Sequence, residues 1–187
     1  YAAGVYNVLC RHAGQVTLAN LAQLVNVLGA IYTTPTGLFT TPIYLANKLY
    51  LEHSGTVSLR TEVESPAFDV QGLGFMPPRQ GARYVDAAAT MDEAAERLYL
   101  SVVNRHRQEP CEVRIEVEGS TVGLEGAGHQ LNGPSGLSGN SITNPDVVRI
   151  EPVEPFLAGN RFTYTFPAHS ATVLELRLER RSAAAEM

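Results

Sequence analysis

From Gly55 onward the chain alternates apolar and polar residues in short runs, and this pattern rules out an all-helical fold for its larger part. Cys111, Val113, Ile115 and Val117 share one face of such a run while Glu112, Arg114 and Glu116 share the other, the period of a half-buried strand. Similar signals recur at Thr56 to Val63, Tyr84 to Thr90, Leu98 to Asn104, around Val122 to Leu124, and at Val147 to Ile150, Phe162 to Phe166 and Thr172 to Leu178. Short strands at this spacing, parted by turn residues, predict an antiparallel sandwich or jelly roll. The Gly- and Pro-rich stretch SPAFDVQGLGFMPPRQG reads as a long irregular connection, and residues 126–145 read as a surface loop. Residues 179–187 have nothing to bury and are expected to form a frayed tail.

Before Gly55 the texture is different. Tyr1 to Ala13 places Val5, Val8, Leu9 and His12 at helical spacing, with Gly14 where a left-handed cap would close the helix. Val16, Leu18 and Leu21 then suggest a strand over Gln15 to Gln23, buried on both faces. A loop, TTPTGLFT, leads to Thr41 and Pro42, the pair expected at a helix N-cap and first position, and a second helix is predicted from Pro42 to about His53. Helix, strand and helix of this kind are the tail of an alternating α/β unit, which needs a larger sheet or barrel to bury its faces. The stretch Leu18 to Thr33 also carries the amides Asn20, Gln23 and Asn26 in an apolar context. An unpaired buried amide costs roughly 1–3 kcal/mol, so each must find a structural partner or face a ligand.

Charge narrows the function. With 14 basic and 19 acidic residues, a formal net charge of −5 and no charge runs, the chain lacks the footprint of a nucleic-acid or anionic-membrane partner. Lys48 is the only lysine, and the arginines are not clustered. Cys10 and Cys111 are too few for a disulfide scaffold and have no zinc-ligand spacing, which favours a reducing compartment. No apolar run reaches membrane-span length and no signal peptide opens the chain, so a cytoplasmic location is expected. The chain opens without Met inside a helical pattern, as expected of a part of something longer.

Motif chemistry is sparse. The Gly-rich stretch 126–145 contains no Lys and links no strand to a helix, so it does not meet the requirements of a phosphate-binding loop. His106, His129 and His169 show no ligand spacing, and neither a metal nor a cofactor is expected. His169 and Ser170 lack an elbow motif and read as a turn before the last strand. Asp92, Glu93 and Glu96 read as a solvated turn, and Glu112, Glu116 and Glu118 as a solvated sheet face. No acid and nucleophile pair of carboxylates emerges.

Longer motifs carry a resemblance. HAGQVTLANLAQLVNVLGAIYT followed by TPIYLANKLYLEHSG resembles the end of the catalytic barrel of glycoside hydrolase family 51, the α-L-arabinofuranosidases. LYLSVVNRH, EVRIEVEG, NSITNPDVV and FPAHSATVLELRL are similar, in the same order, to that family's C-terminal β-sandwich. The resemblance implies a mainly β chain, an antiparallel β-sandwich preceded by the last helix-strand-helix of a (β/α)8 barrel. Residues 1–55 would end the barrel, 56–178 would form the sandwich and 179–187 the tail.

What the resemblance implies for activity is a retaining glycosidase acting on an arabinose-containing oligosaccharide or hemicellulose fragment, with two glutamates about 5–5.5 Å apart forming and hydrolysing a glycosyl-enzyme intermediate. Neither glutamate corresponds to a position of this sequence, so no catalytic residue is expected here and this stretch alone is expected to be inactive. Gln23 matches the family's glutamine at the end of the eighth barrel strand, a sugar contact, in keeping with the placement of barrel sites at the C-terminal ends of strands. Asn26, just beyond, is read as structural. The family's habits also imply a homo-oligomer. Two competing readings are a non-catalytic sandwich that binds glycan or a partner, and a xylan or glucan hydrolase on the same scaffold. The first is weakened by an aromatic content of 7% with no Trp.

Overall fold

A computed structural model of the chain describes residues 1–179. The expected tail, apart from Glu179, lies outside the described residues. The elements in order are α1 (Ala2–Arg11), β1 (Ile31–Thr34), β2 (Gly37–Thr40), α2 (Pro42–Glu52), β3 (Val57–Leu59), β4 (Ala67–Val70), β5 (Arg79–Arg83), β6 (Val85–Asp92), β7 (Arg97–Asn104), β8 (Cys111–Glu116), β9 (Thr121–Asn132), β10 (Arg149–Pro152), β11 (Phe156–Leu157), β12 (Arg161–Phe166) and β13 (Ala171–Glu179). The chain is mainly β, as expected, and the paired strands are antiparallel.

The large sheet runs β10-β9-β13-β7-β6-β3, with β11 also paired to β9. Its two faces are covered by different layers. On one face Val85, Ala87, Leu98, Leu100, Val102, Leu174, Leu176 and Leu178 meet Ile115 of β8 and Phe166 of β12, whose hairpin-like pair forms the second layer of the sandwich. On the other face Tyr99, Val103, Leu131, Ala171 and Val173 meet Ala3 of α1 and Ala46, Leu49 and Tyr50 of α2. Because both faces are covered, β7 is buried at every residue after Arg97, and Val173, Leu174 and Leu176 of β13 are fully buried. Fully burying a Leu or Val side chain contributes roughly 1.5–3 kcal/mol, so this central pair of strands is where stability concentrates.

A polar network fixes α1 on the sheet. Asn7, fully buried, donates to the Asp86 carbonyl and carboxylate at 3.2 Å each and accepts from the Tyr50 hydroxyl at 2.6 Å. Arg11 pairs with Asp86 at 3.0 Å, and Arg105 reaches the other carboxylate oxygen at 3.3 Å. A buried side chain satisfied this way specifies one docking geometry, because a slip would orphan several polar groups together.

Four local expectations are corrected. Residues 15–23 form no strand: no other described strand lies beside them to take up their backbone hydrogen bonds, and Leu18 and Leu21 are 77% and 42% exposed. TTPTGLFT is not a loop but includes most of the hairpin β1–β2, closed by Pro35 and Thr36 and braced by Tyr32 stacked on its cross-strand partner Phe39 at 5.2 Å. The irregular connection before Tyr84 contains the hairpin β4–β5, whose register shifts between Phe68 and Val70 and whose Gly81 has a φ of 66°. Helix α1 ends at Arg11 with His12 as its cap, and Gly14 is not left-handed.

The Gly-rich stretch is also misread in part, since Gly126 to Asn132 complete β9. Glycine is needed there for room: a Cβ at Gly128 would stand 2.3 Å from the Val173 carbonyl oxygen, and one at Gly126 would stand 2.3 Å from the Phe156 ring. Gly55 follows α2 as expected and has a similar role, since its Cβ would fall 2.0 Å from the Met91 backbone.

Candidate functional site

The segment around Gln23 is built by backbone turns instead of a strand. Gln23, Asn26 and Val27 have φ of 54°, 58° and 53°, in the left-handed region that costs non-glycine residues free energy unless the surroundings hold them there. The clamp is Asn26. Its Oδ1 accepts from the Thr33 backbone N–H at 2.8 Å, its Nδ2 donates to Thr33 Oγ1 at 3.0 Å, and its own N–H donates to the Ile31 carbonyl at 2.8 Å. The Ile31 N–H returns to the Leu24 carbonyl at 3.0 Å, and the Tyr32 hydroxyl donates to the Val27 carbonyl. Gly29 sits where a Cβ would lie 2.8 Å from each of the carbonyl oxygens of Gln23, Leu24 and Asn26. The amides divide accordingly: Asn26 is structural, whereas the Gln23 side chain is exposed and makes no hydrogen bond among the described residues. Asn20 is exposed as well.

The apolar residues beside these amides are as open as Gln23. Leu24, Val25, Val27 and Leu28 all project into solvent. Exposed apolar side chains thus stand close in the chain to a polar side chain that lacks a partner among the described residues. A shallow concavity of about 390 Å³ lined by Ser65, Val85, Cys111 and Val113 lies elsewhere and does not include Gln23.

The histidines sort by structural role. His106 accepts the Glu109 N–H at 2.9 Å, and His169 contacts the Arg107 and Gly133 carbonyl oxygens at 3.0 Å from its two ring nitrogens, so both pin loops. Ser170 donates to the Pro167 carbonyl at 2.7 Å, and the turn reading of this pair holds. Asp92 accepts from the N–H groups of Ala94 and Ala95 at 3.0 Å, closing its turn. Burial pushes the Cys10 thiol above the ordinary range, against the pull of Arg11.

One constellation has no counterpart in sequence spacing. His53, the residue that caps α2, comes together with His129 of β9 and Glu175 of β13 on the helix-covered face of the large sheet. His53 Nδ1 lies 2.7 Å and His129 Nδ1 3.3 Å from the same carboxylate oxygen, Glu175 Oε1, while Arg97 Nη1 donates to Oε2 at 3.1 Å. The two imidazoles stack at 3.9 Å between centroids. Burial, and then the neighbouring His129, hold the His53 pKa below its ordinary value, against the opposing pull of Glu175. His129 Nδ1 is shut off from solvent and, despite its distance to Glu175, makes no well-directed hydrogen bond. The residues are too far apart in the chain for spacing to reveal them, and only the pairing of β9 with β13 and the end of α2 bring them together.

Comparison with known proteins gives a consistent picture. Residues 1–170 match the family model described as the α-L-arabinofuranosidase C-terminal domain. The chain is 30% identical over 110 residues to an intracellular exo-α-(1→5)-L-arabinofuranosidase of Halalkalibacterium halodurans, an alignment covering 58% of this chain and 21% of that protein. The thermostable family 51 α-L-arabinofuranosidase of Thermotoga petrophila superposes with a TM-score of 0.85 at 38% identity, over 93% of this chain and 37% of that one. An arabinose complex of the Thermotoga maritima α-L-arabinofuranosidase gives the same TM-score and identity, over 93% and 36%. The chain thus spans about a fifth of the curated relative and somewhat more than a third of the solved chains.

Proposed function

This chain belongs to the family of α-L-arabinofuranosidase C-terminal domains, and from that premise we propose that it serves as the C-terminal part of a retaining enzyme releasing terminal arabinofuranosyl groups from arabinose-containing glycans. The observation that carries the reading is the match over residues 1–170, which takes in the Gln23 segment as well as the sandwich. In this reading residues 1–55 close a (β/α)8 barrel, residues 56–178 form the sandwich beside it, and the two catalytic glutamates stand on barrel strands outside this stretch. Residues 15–23 become the eighth barrel strand once a neighbouring strand takes up their hydrogen bonds, which accounts for their apolar character and their exposure here.

Gln23 is the residue this chain gives to the substrate. Its exposed, unpartnered amide lies at the end of that stretch, where barrel sites are built, and a side-chain amide can donate to and accept from sugar hydroxyls at once. It positions the sugar and takes no proton in the reaction. A cytoplasmic location belongs to the same proposal, supported by the relative named as intracellular. So does a homo-oligomer, since among the described residues no strand pairs with the outer edges of β3 and β10 in the large sheet.

A chromogenic arabinofuranoside assay tests the reading. The enzyme carrying this stretch at its C-terminus is expected to release the chromophore with retention of configuration, and the 187-residue chain to release none. Turnover by the chain alone, or a parent enzyme active on xylosides and inert on arabinofuranosides, would overturn it.

A further inference from the structure

We propose that His53, His129 and Glu175 form a binding site for a divalent transition-metal ion, of which zinc is the best chemical match. One ligand atom from each residue lies within 4.8 Å of the others, and Glu175 Oε1 is 2.7 Å and 3.3 Å from the two Nδ1 atoms. A tetrahedral zinc ion with bonds of about 2.0–2.1 Å sets its ligand atoms roughly 3.3 Å apart, so the cluster is already near the required size. Two imidazoles and a carboxylate suit zinc and its neighbours, whereas calcium and magnesium call for a shell of oxygens.

The cluster is built on the rigid part of the molecule. His129 and Glu175 project from adjacent central strands at diagonal positions on one face, since His129 pairs with Val173 two residues before Glu175. His53 is brought over that face by α2, whose Leu49 is fully buried. Arg97 holds Glu175 Oε2 and so leaves Oε1 turned toward the imidazoles, the kind of outer contact that orients a ligating carboxylate. The side chain of His129 is about one-third exposed although its Nδ1 is buried, so the cluster lies just beneath the surface.

Two features point to a ligand beyond the hydrogen bonds on hand. His129 Nδ1 is a buried acceptor or donor with no partner, a condition that native interiors avoid. Both imidazoles also converge on a single oxygen, which cannot serve both well while the rings lie 21° from parallel. An ion on Oε1 and the two nitrogens satisfies all three atoms. It requires each ring plane to contain the ion, so binding turns at least one imidazole about its Cβ–Cγ bond and breaks the stack.

Titration of the purified, tag-free 187-residue chain with zinc chloride in a calorimeter is the test, with cobalt(II) as a spectroscopic stand-in. We expect one ion per chain, a loss of affinity in both H129Q and E175Q larger than the roughly tenfold that loss of an outer contact costs, and cobalt d–d bands without thiolate charge transfer. R97Q, which keeps all three ligands, serves as the second variant and is expected to retain one ion per chain; circular dichroism confirms that each variant is folded. Absence of binding, binding unchanged in folded H129Q and E175Q, or a thiolate band implicating Cys10 or Cys111 would overturn the site and leave the three residues as a packed proton-sharing cluster.

Discussion

Two stretches of similar apolar content have opposite fates in this molecule. Val173, Leu174 and Leu176 of β13 are completely buried, while Leu18, Leu21 and Leu24 stand 77%, 42% and 55% exposed. The difference is pairing. β13 has β7 on one edge and β9 on the other, and the helices and the β8–β12 pair cover its faces. Residues 15–23 have neither edge partner nor covering layer among the described residues, so their backbone stays irregular and their side chains stay in water. Apolar sequence creates a demand for burial, and topology decides whether the demand is met.

This contrast can be broken at either end. Leu174→Ala removes a fully buried side chain from the core packed against β8 and β12 and is expected to destabilise the chain by about 2–5 kcal/mol, read from urea denaturation. Gly128→Ala pushes a methyl against the Val173 carbonyl and should cost about 1–3 kcal/mol by parting β9 from β13, visible as a lower thermal midpoint. Tyr50→Phe removes the donor to buried Asn7 Oδ1, with an expected loss of about 1–2 kcal/mol by the same measurement. At the exposed end, Leu18→Ala should change stability by no more than about 0.5 kcal/mol in this chain. In the whole enzyme, where we propose the residue is covered, the same change should cost about 2–5 kcal/mol.

Strict alternation announced β8 and β12 well, because a strand with one wet face writes its period into the residues, as Cys111 to Val117 do, whereas β7, covered on both faces, was marked by its apolar run between turn residues. Both helices were legible from their apolar stripes and from Pro42. The failures have physical causes. β1–β2 and β4–β5 are held by turns and a register shift inside Gly- and Pro-rich text, so their residues look like loop. The second half of β9 carries glycines for close approach of Val173 and Phe156, and these read as turn residues when the neighbours are unknown. Residues 15–23 failed in the other direction: their apolar text reads as strand, but no described strand pairs with them.

Legibility of the sites followed the same logic. Asn26 and Gln23 share one stretch, and their positions alone suggested that amides there need partners; the structure separates them, giving Asn26 its bonds to Thr33 and leaving Gln23 open. The His53, His129 and Glu175 cluster was beyond sequence reasoning because it is assembled from a helix end and two strands far apart in the chain.

The most direct test of the central claim is the specificity constant of the full-length protein that carries this stretch, with Gln23 replaced by Ala, on an aryl arabinofuranoside. The proposed contact of Gln23 with the sugar predicts a fall in kcat/KM of about tenfold or more, corresponding to roughly 1.4 kcal/mol of transition-state stabilisation, with the thermal midpoint unchanged. A kcat/KM equal to that of the parent would contradict the assignment of Gln23 to the substrate.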